Sequence, residues 1–157
     1  VLWFDDTVEI QGTLDGEITI GCSEDIWIMG DVVYEASSPG LGPEDGCDDI
    51  LGLVSCNDII IGETTPNMND CEIHAHMLAL WKSLEVERYN HGAPRGDLTI
   101  WGGVAQHSVG AIGTFNKWGI VSGYNKDYHF DTRMSVLSPP GYPETNRYVL
   151  VYWSEEG

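Results

Sequence analysis

The segment Asp25-Ile-Trp-Ile-Met-Gly-Asp-Val32 returns as Asp97-Leu-Thr-Ile-Trp-Gly-Gly-Val104, and the offset of 72 residues is three steps of 24. Cys22, Cys47 and Cys71 mark the same period independently, at steps of 25 and 24. Aligned on it, Ile26, Ile50, Ile73 and Leu98 form one column and Tyr34, Ile59, Leu84 and Val109 a second. Apolar and other residues alternate within these runs, as in Val8-Glu-Ile10, Ile18-Thr-Ile20 and Leu98-Thr-Ile100, which is the pattern of strands with one buried face. Self-similarity at this spacing belongs to stacked architectures, whose units bury their apolar faces against their neighbours. The expected fold is therefore all-β, a right-handed parallel β-solenoid (β-helix) of about five or six coils. An antiparallel sandwich is the competing all-β arrangement. A leucine-rich repeat has a similar period, but its strand-plus-helix unit is absent.

The segment His76-Met-Leu-Ala-Leu-Trp-Lys-Ser-Leu-Glu-Val-Glu-Arg88 tests that register, because its composition and its apolar spacing favour a helix. The register instead predicts two strands, over 73–80 and 84–86. Between strands the chain is punctuated by turns: Ser37-Ser-Pro-Gly-Leu-Gly-Pro-Glu-Asp-Gly46, Thr64-Thr-Pro-Asn67 and Asn90-His-Gly-Ala-Pro-Arg-Gly96. These loops are expected to project from the stack. The chain reads as a single domain, 1–157, with repeat coils over 1–114 and a proline-rich extension over 115–157 that ends in a strand at 148–153. Val1-Leu-Trp-Phe4 and that last strand would cover the two ends, which makes Trp3, Phe4, Tyr152 and Trp153 the cap or assembly residues.

Over 157 residues, 25 acidic side chains stand against 7 basic ones, a formal charge of −18. A field of this sign repels phosphate backbones, so a nucleic-acid partner is not expected. A hydrophobic content of 42% argues against intrinsic disorder, and 19 Gly with 7 Pro indicate many turns. No run of about 18 apolar residues is present to span a membrane. The absence of an initiator Met and of a signal-like start suggests a mature or excised piece of something longer.

The runs Gly96-Asp-Leu-Thr-Ile-Trp-Gly-Gly-Val-Ala-Gln106, Gly110-Ala-Ile-Gly-Thr-Phe115, Gly123-Tyr-Asn-Lys-Asp-Tyr-His-Phe-Asp-Thr-Arg133 and Pro139-Pro-Gly-Tyr-Pro143 resemble an uncharacterised β-helix domain of bacterial cell-surface proteins. That domain is often attached to a prepilin-like anchor and is similar to bactofilin-like polymers. Gly30-Asp-Val-Val-Tyr34, Leu51-Gly-Leu-Val-Ser-Cys-Asn-Asp-Ile59 and Ile73-His-Ala75 fit the same pattern, so the resemblance spans most of the chain. It implies an extracellular or cell-surface structural role and no catalytic residue. The acidity and the four Cys depart from the family's pattern.

Candidate site residues follow from the same register. Equivalent positions on adjacent coils lie about 4.8 Å apart, within the roughly 4.4–6.8 Å Cα separation of a disulfide. Cys22–Cys47 with Cys56–Cys71 is then one pairing, Cys47–Cys71 with two thiols left over is another, and a ladder of reduced core thiols is the alternative. His74 and His76 share a strand face and form a candidate pair for a transition ion, with both rings expected in solvent. Asp45, Asp48, Asp49 and Asp70 supply hard oxygen ligands for calcium, the one cofactor candidate, against a plain solvated acidic surface. Trp27 and Trp101 alternate with inward Ile and are expected to face outward, where a ring can stack on a sugar or a partner chain. Tyr124, Tyr128, His129, Asp131 and Arg133 read as a polar clasp in which Asp131 pairs with Arg133.

No nucleophile elbow or triad is present, and the paired carboxylates that would permit a glycosidase arise by chance among abundant acids on stacked strands, so no catalytic residue is assigned. The expected role is a non-catalytic surface protein that assembles with copies of itself into filaments, or rides on a pilus-like scaffold. The alternative is a carbohydrate- or calcium-binding adhesion module with a glycan partner. With the interior apolar, acids would crowd the outer faces, where stacked coils would set like charges together and salt would stabilise the stack.

Overall fold

A computed structural model describes residues 1–143. The chain is mostly strand, the sheet is largely parallel, and no α-helix occurs among the described residues. Among the described residues no helix is long and apolar enough to cross a membrane. One ladder runs in chain order through β1 (Leu2–Phe4), β3 (Glu17–Cys22), β7 (Ile50–Ser55), β9 (Cys71–Ala79), β11 (Pro94–Gln106) and β13 (Gly119–Phe130), every pairing parallel. A short β12 (Gly113–Asn116) closes it by pairing antiparallel with β13. A second parallel ladder runs through β2 (Val8–Leu14), β4 (Ile26–Tyr34), β8 (Ile59–Ile61) and β10 (Leu84–Val86), and Val32 joins it to the first ladder by pairing with Ile73. A hairpin of β5 (Ser37–Ser38) and β6 (Gly42–Pro43) and two 3₁₀ turns, η1 (Pro66–Met68) and η2 (Thr132–Ser135), complete the described chain.

The segment with helical composition is strand, as the register predicts: Cys71–Ala79 and Leu84–Val86. Tertiary pairing overrides propensity there, since Met77 lies beside both Leu53 and Val104 and is fully buried. The predicted columns, in contrast, are replaced. Val8, Ile26, Ile59 and Leu84 form one column, at steps of 18, 33 and 25, and Ile73, Ile100 and Tyr128 lie in another, at steps of 27 and 28. Only the step from Ile59 to Leu84 survives from the sequence alignment. The two copies of the recurring segment begin in different ladders, Ile26 beside Ile59 and Leu98 beside Cys71. Insertions of unequal length explain this, the largest being the hairpin of β5 and β6 within the step of 33. Parallel addition also goes on beyond residue 114, through β13.

Alternation along β4 buries Ile26, Ile28, Gly30, Val32 and Tyr34 and leaves Trp27, Met29 and Val33 half-covered. Such inward residues build a single core with Cys22, Leu53, Ile59, Ile61, Ile73, Ala75, Met77, Leu98 and Ile100. Each large aliphatic member contributes about 1.5–3 kcal/mol by leaving water. In the second copy of the recurring segment, Gly102 has φ of 154°, and a Cβ there would run into the backbone carbonyl of Ala75 on the neighbouring strand. A side chain would push the two strands apart.

The loop expected to project does not. Gly42, at φ of 73°, lies directly against the Trp101 indole, so the hairpin of β5 and β6 folds back over the outer face of the first ladder. One position before the pairings Ile26↔Ile59, Val32↔Ile73 and Leu98↔Cys71 the register sets acids side by side, Asp25 with Asp58, Asp31 with Glu72 and Asp70 with Asp97, whereas along the strands acids face other residues. Glu9 faces Trp27, Glu17 faces Ile50, and Glu72 and Asp127 both face Thr99.

All four cysteines are free thiols, so neither predicted disulfide pattern forms. The true register accounts for it: Cys22 stands between Phe4 and Ser55, Cys71 stands beside Leu98, and Cys47 lies in the loop with its thiol 3.4 Å from Asp49 Oδ2. Burial raises the Cys22 and Cys47 thiols above their ordinary values, and burial with nearby Asp31 and Glu72 pushes Cys71 up to about 12. Only Cys56 is partly accessible. Thiolate reactivity follows exposure and pKa. Alkylation of the folded protein at neutral pH, followed by peptide mass mapping, should modify Cys56 first; faster labelling of Cys71 would contradict the register.

Candidate functional site

The side chains that sequence reasoning singled out meet on the outer face of β9 and β11. His74 and His76 are not in solvent; both are buried, at 0% and 1% exposure. They point away from the core strip of Ile73, Ala75 and Met77 as the alternation requires, but the folded-back hairpin and the chain after β13 lie over that face. Gly103, the ladder neighbour of His76, faces Met134 of η2, and Gly52 on β7 faces Pro139 and Tyr142. A strand face expected to be wet is therefore an inner layer.

His74 is fully committed there. Its Nδ1 accepts the Tyr34 backbone N–H at 3.1 Å, which fixes the proton on Nε2, and Nε2 donates to Glu72 Oε1 at 2.9 Å. Burial holds this imidazole below its ordinary pKa despite the Glu72 carboxylate. Glu72 also receives the Gly40 N–H on both oxygens, at 3.1 and 2.9 Å, and so ties the hairpin to β9. His76 has no hydrogen-bond partner; its Nε2 lies 3.8 Å from Asp131 Oδ2.

Asp131 and Arg133 pair as the sequence predicts. Arg133 Nε and Nη2 reach both Asp131 oxygens, at 3.0, 3.2 and 2.7 Å, a bidentate contact. Burial alone would raise the Asp131 carboxyl, but His76 and Arg133 outweigh it and hold it far below the usual carboxylate range. What the sequence did not reveal is where Arg133 goes next: its Nη1 donates to the carbonyls of Cys47, at 2.8 Å, and Asp49, at 3.1 Å. The guanidinium also lies 5.2 Å from the centre of the Tyr34 ring. Asp49 is 2% exposed and accepts Gly16 N–H at 2.6 Å, Ala36 N–H at 3.2 Å and the Cys47 thiol. Desolvation works to raise this carboxyl, yet those donors and Arg133 leave it below its ordinary value. Asp49 is thus the post on which the excursion is pinned, and Arg133 binds the end of the described chain to the same post.

Trp101 is half-covered, stacked on His129 at 4.1 Å and 12°, with Gly42 against it. It lines a shallow cleft of about 220 Å³ with Pro43, Glu44, Phe130, Asp131 and Arg133. Trp27 is half-buried, near Gly62. Asp45 and Asp48 are exposed on the excursion, whereas exposed Asp70 accepts the Asp97 N–H at 2.8 Å at the start of β11. Among the described residues no three His, Cys, Asp or Glu side chains gather as metal ligands. Trp3 and Phe4 are exposed on β1, and Tyr152 and Trp153 lie outside the described residues. Asp49, Glu72, His74, Asp131 and Arg133 hold one another and the backbone, whereas both ring nitrogens of His76 and the Nε and Nη1 of Arg95 have no hydrogen-bond partner.

Sequence reasoning also missed a repeated device. Asp25 accepts the N–H of Asp58, Asp58 that of Ser83, Asp31 that of Glu72, Asp70 that of Asp97, and Asp49 that of Gly16, at 2.6–3.0 Å. In each case an Asp immediately before a paired residue accepts the amide immediately before that residue's ladder partner: Ile26↔Ile59, Ile59↔Leu84, Val32↔Ile73, Leu98↔Cys71 and Glu17↔Ile50. The signal was legible as Asp before Ile, Val or Cys.

No family model, curated protein or solved structure matches this chain.

Asp49→Asn should lower unfolding free energy by about 1–3 kcal/mol, because an amide cannot accept at both of its ends and buried donors lose their partner. Asp48→Asn, at an exposed position, should cost less than about 0.5 kcal/mol. Asp49 and Asp131 both have depressed folded values. The stability they contribute is present above the ordinary carboxylate range and is lost as pH falls through it toward their folded values. Denaturant titration of both variants across acid pH reads this: the wild-type advantage over Asp49→Asn should shrink on acidification, and a pH-independent difference would contradict the assignment.

Proposed function

We propose that the chain is a β-solenoid of about five or six coils that acts as a non-catalytic structural protein outside the cell or on its surface, assembling with copies of itself or carried on a pilus-like scaffold. The observation that carries this reading is the combination of parallel strands added in chain order with an apolar end strand. β1 is the last strand of its ladder among the described residues, and its Leu2, Trp3 and Phe4 are 44–53% exposed. An end strand of this kind offers unpaired backbone groups and apolar surface together, which is a template for another chain. The sequence resemblance to surface β-helix domains supports the location.

The adhesion alternative draws less support. Trp101, the better-placed stacking residue, spends its ring on His129 and Gly42, and the four candidate calcium aspartates lie apart in exposure and partners. A catalytic role draws less support as well, since Asp49, Glu72, His74 and Asp131 are engaged in holding loops.

Negative-stain microscopy and sedimentation over a wide range of protein concentration test the proposal. Concentration-dependent linear assemblies are the expected result. A protein that stays monomeric throughout, and whose melting temperature rises with calcium or a glycan, would favour the adhesion module instead.

A further inference from the structure

The charge of the chain is divided along its length. No Lys or Arg precedes Lys82, whereas 17 acidic side chains do; from residue 82 to 143 six basic side chains stand against five acidic ones. Because the strands of each ladder follow chain order, this division becomes a polarity of the folded molecule. The β1 and β2 end is purely acidic, with Asp5, Asp6 and Glu9 exposed, while residues 113–130 of the β12–β13 end carry Lys117 and Lys126 against a single acid, Asp127, which lies 2.9 Å from His129.

Most of those basic residues are already in use. Lys82 pairs with Asp58 at 2.9 Å, Arg88 and Arg95 face Glu63, and Arg133 holds Asp131. Lys117 and Lys126 make no ion pair among the described residues, and both are exposed on the terminal β12–β13 hairpin. Each lies over an exposed aromatic ring, Lys117 4.2 Å from Trp118 and Lys126 5.8 Å from Tyr128. Trp118 is 82% exposed and Phe115 56%. One end of the molecule is therefore aromatic and acidic, the other aromatic and basic.

We infer that the β12–β13 end receives the β1 end of a second copy of this chain, head to tail. The inference rests on the assembling role proposed above and adds its direction. Like ends would bring Asp5, Asp6 and Glu9 against their own copies, or Lys117 and Lys126 against theirs, whereas unlike ends bury apolar surface on both sides and neutralise charge. Contact between unlike surfaces does not close on itself by two-fold symmetry, so it propagates as a chain of copies. Opposite charges also make it weaker in salt, by screening.

Two singly blocked variants test the polarity. Trp3→Asp places a further charge on the acidic end, and Trp118→Asp with Lys117→Glu reverses the other; all three positions are exposed, and circular dichroism checks that both proteins fold. By sedimentation each variant alone should be monomeric, while an equimolar mixture should form a one-to-one dimer through its single intact pair of ends and stop there. That dimer should loosen by roughly tenfold or more between about 0.05 and about 0.5 M NaCl as charges are screened. Dimers of either variant alone would overturn the inference in favour of like-to-like joining. Wild type that assembles while the mixture stays monomeric, or a mixed dimer that tightens in salt, would overturn the polarity and leave the assembling role standing. Wild type that never associates would sink both.

Discussion

A parallel ladder satisfies its amides only as far as its strands are paired, and the first amide outside it still needs an acceptor. In this protein a carboxylate supplies it. Aspartates 25, 31, 49, 58 and 70 each stand one position before a paired residue and take the amide N–H one position before the residue's partner, so each ladder is extended by one hydrogen bond made with a side chain. A carboxylate makes a stronger acceptor than a carbonyl and does not require the backbone to remain extended. The chain can therefore turn sharply at the strand start without stranding a donor, and short strands such as β8 and β10 can keep their register.

This constraint gives the acidity a structural meaning. A negative charge of 18 on 157 residues first reads as a solubilising coat. Several of the acids are instead parts of the frame: Asp25, Asp31 and Asp70 stand beside Asp58, Glu72 and Asp97 and take the backbone amide of that neighbour, so a carboxylate–amide bond is made where two acids adjoin. Asp49 goes furthest: buried and held by three donors, it fixes the excursion that covers the outer strand face. With that face covered, His74 and His76 become interior groups, Trp101 gains a lid, and Arg133 can join the chain after β13 to the loop before β7. The layer of polar groups so enclosed holds parts of the molecule together and leaves its ends as the exposed apolar regions.

Strand identity was legible in the sequence because alternation and β-branching are local. That is why 71–79 and 84–86 emerge as strands despite helical composition. Column membership was not legible, because a period averages over insertions: one step of 18 and one of 33 cannot be told apart from two of 25 or 26 without knowing where the hairpin lies. The cysteine and histidine expectations failed for the same reason. Cys47 fits the period yet lies in the excursion, and alternation alone sends His74 and His76 to solvent, because nothing local says that residues 37–46 and 131–142 fold over them. The Asp131–Arg133 pair was readable, being two residues apart, but its reach to Cys47 and Asp49 depends on contacts more than 80 residues distant in sequence.

Amide hydrogen exchange, read residue by residue by NMR at neutral pH, bears most directly on the account. The N–H groups of Gly16, Asp58, Glu72, Ser83 and Asp97 lie at or beyond the edges of their ladders, yet the carboxylate bonds should protect them nearly as well as the strand interior, and Asp58→Ala should release Ser83 selectively. Exchange of these five amides at the rate of the turn amides of Asn90 and Gly92 would contradict the claim that aspartates complete the ladders.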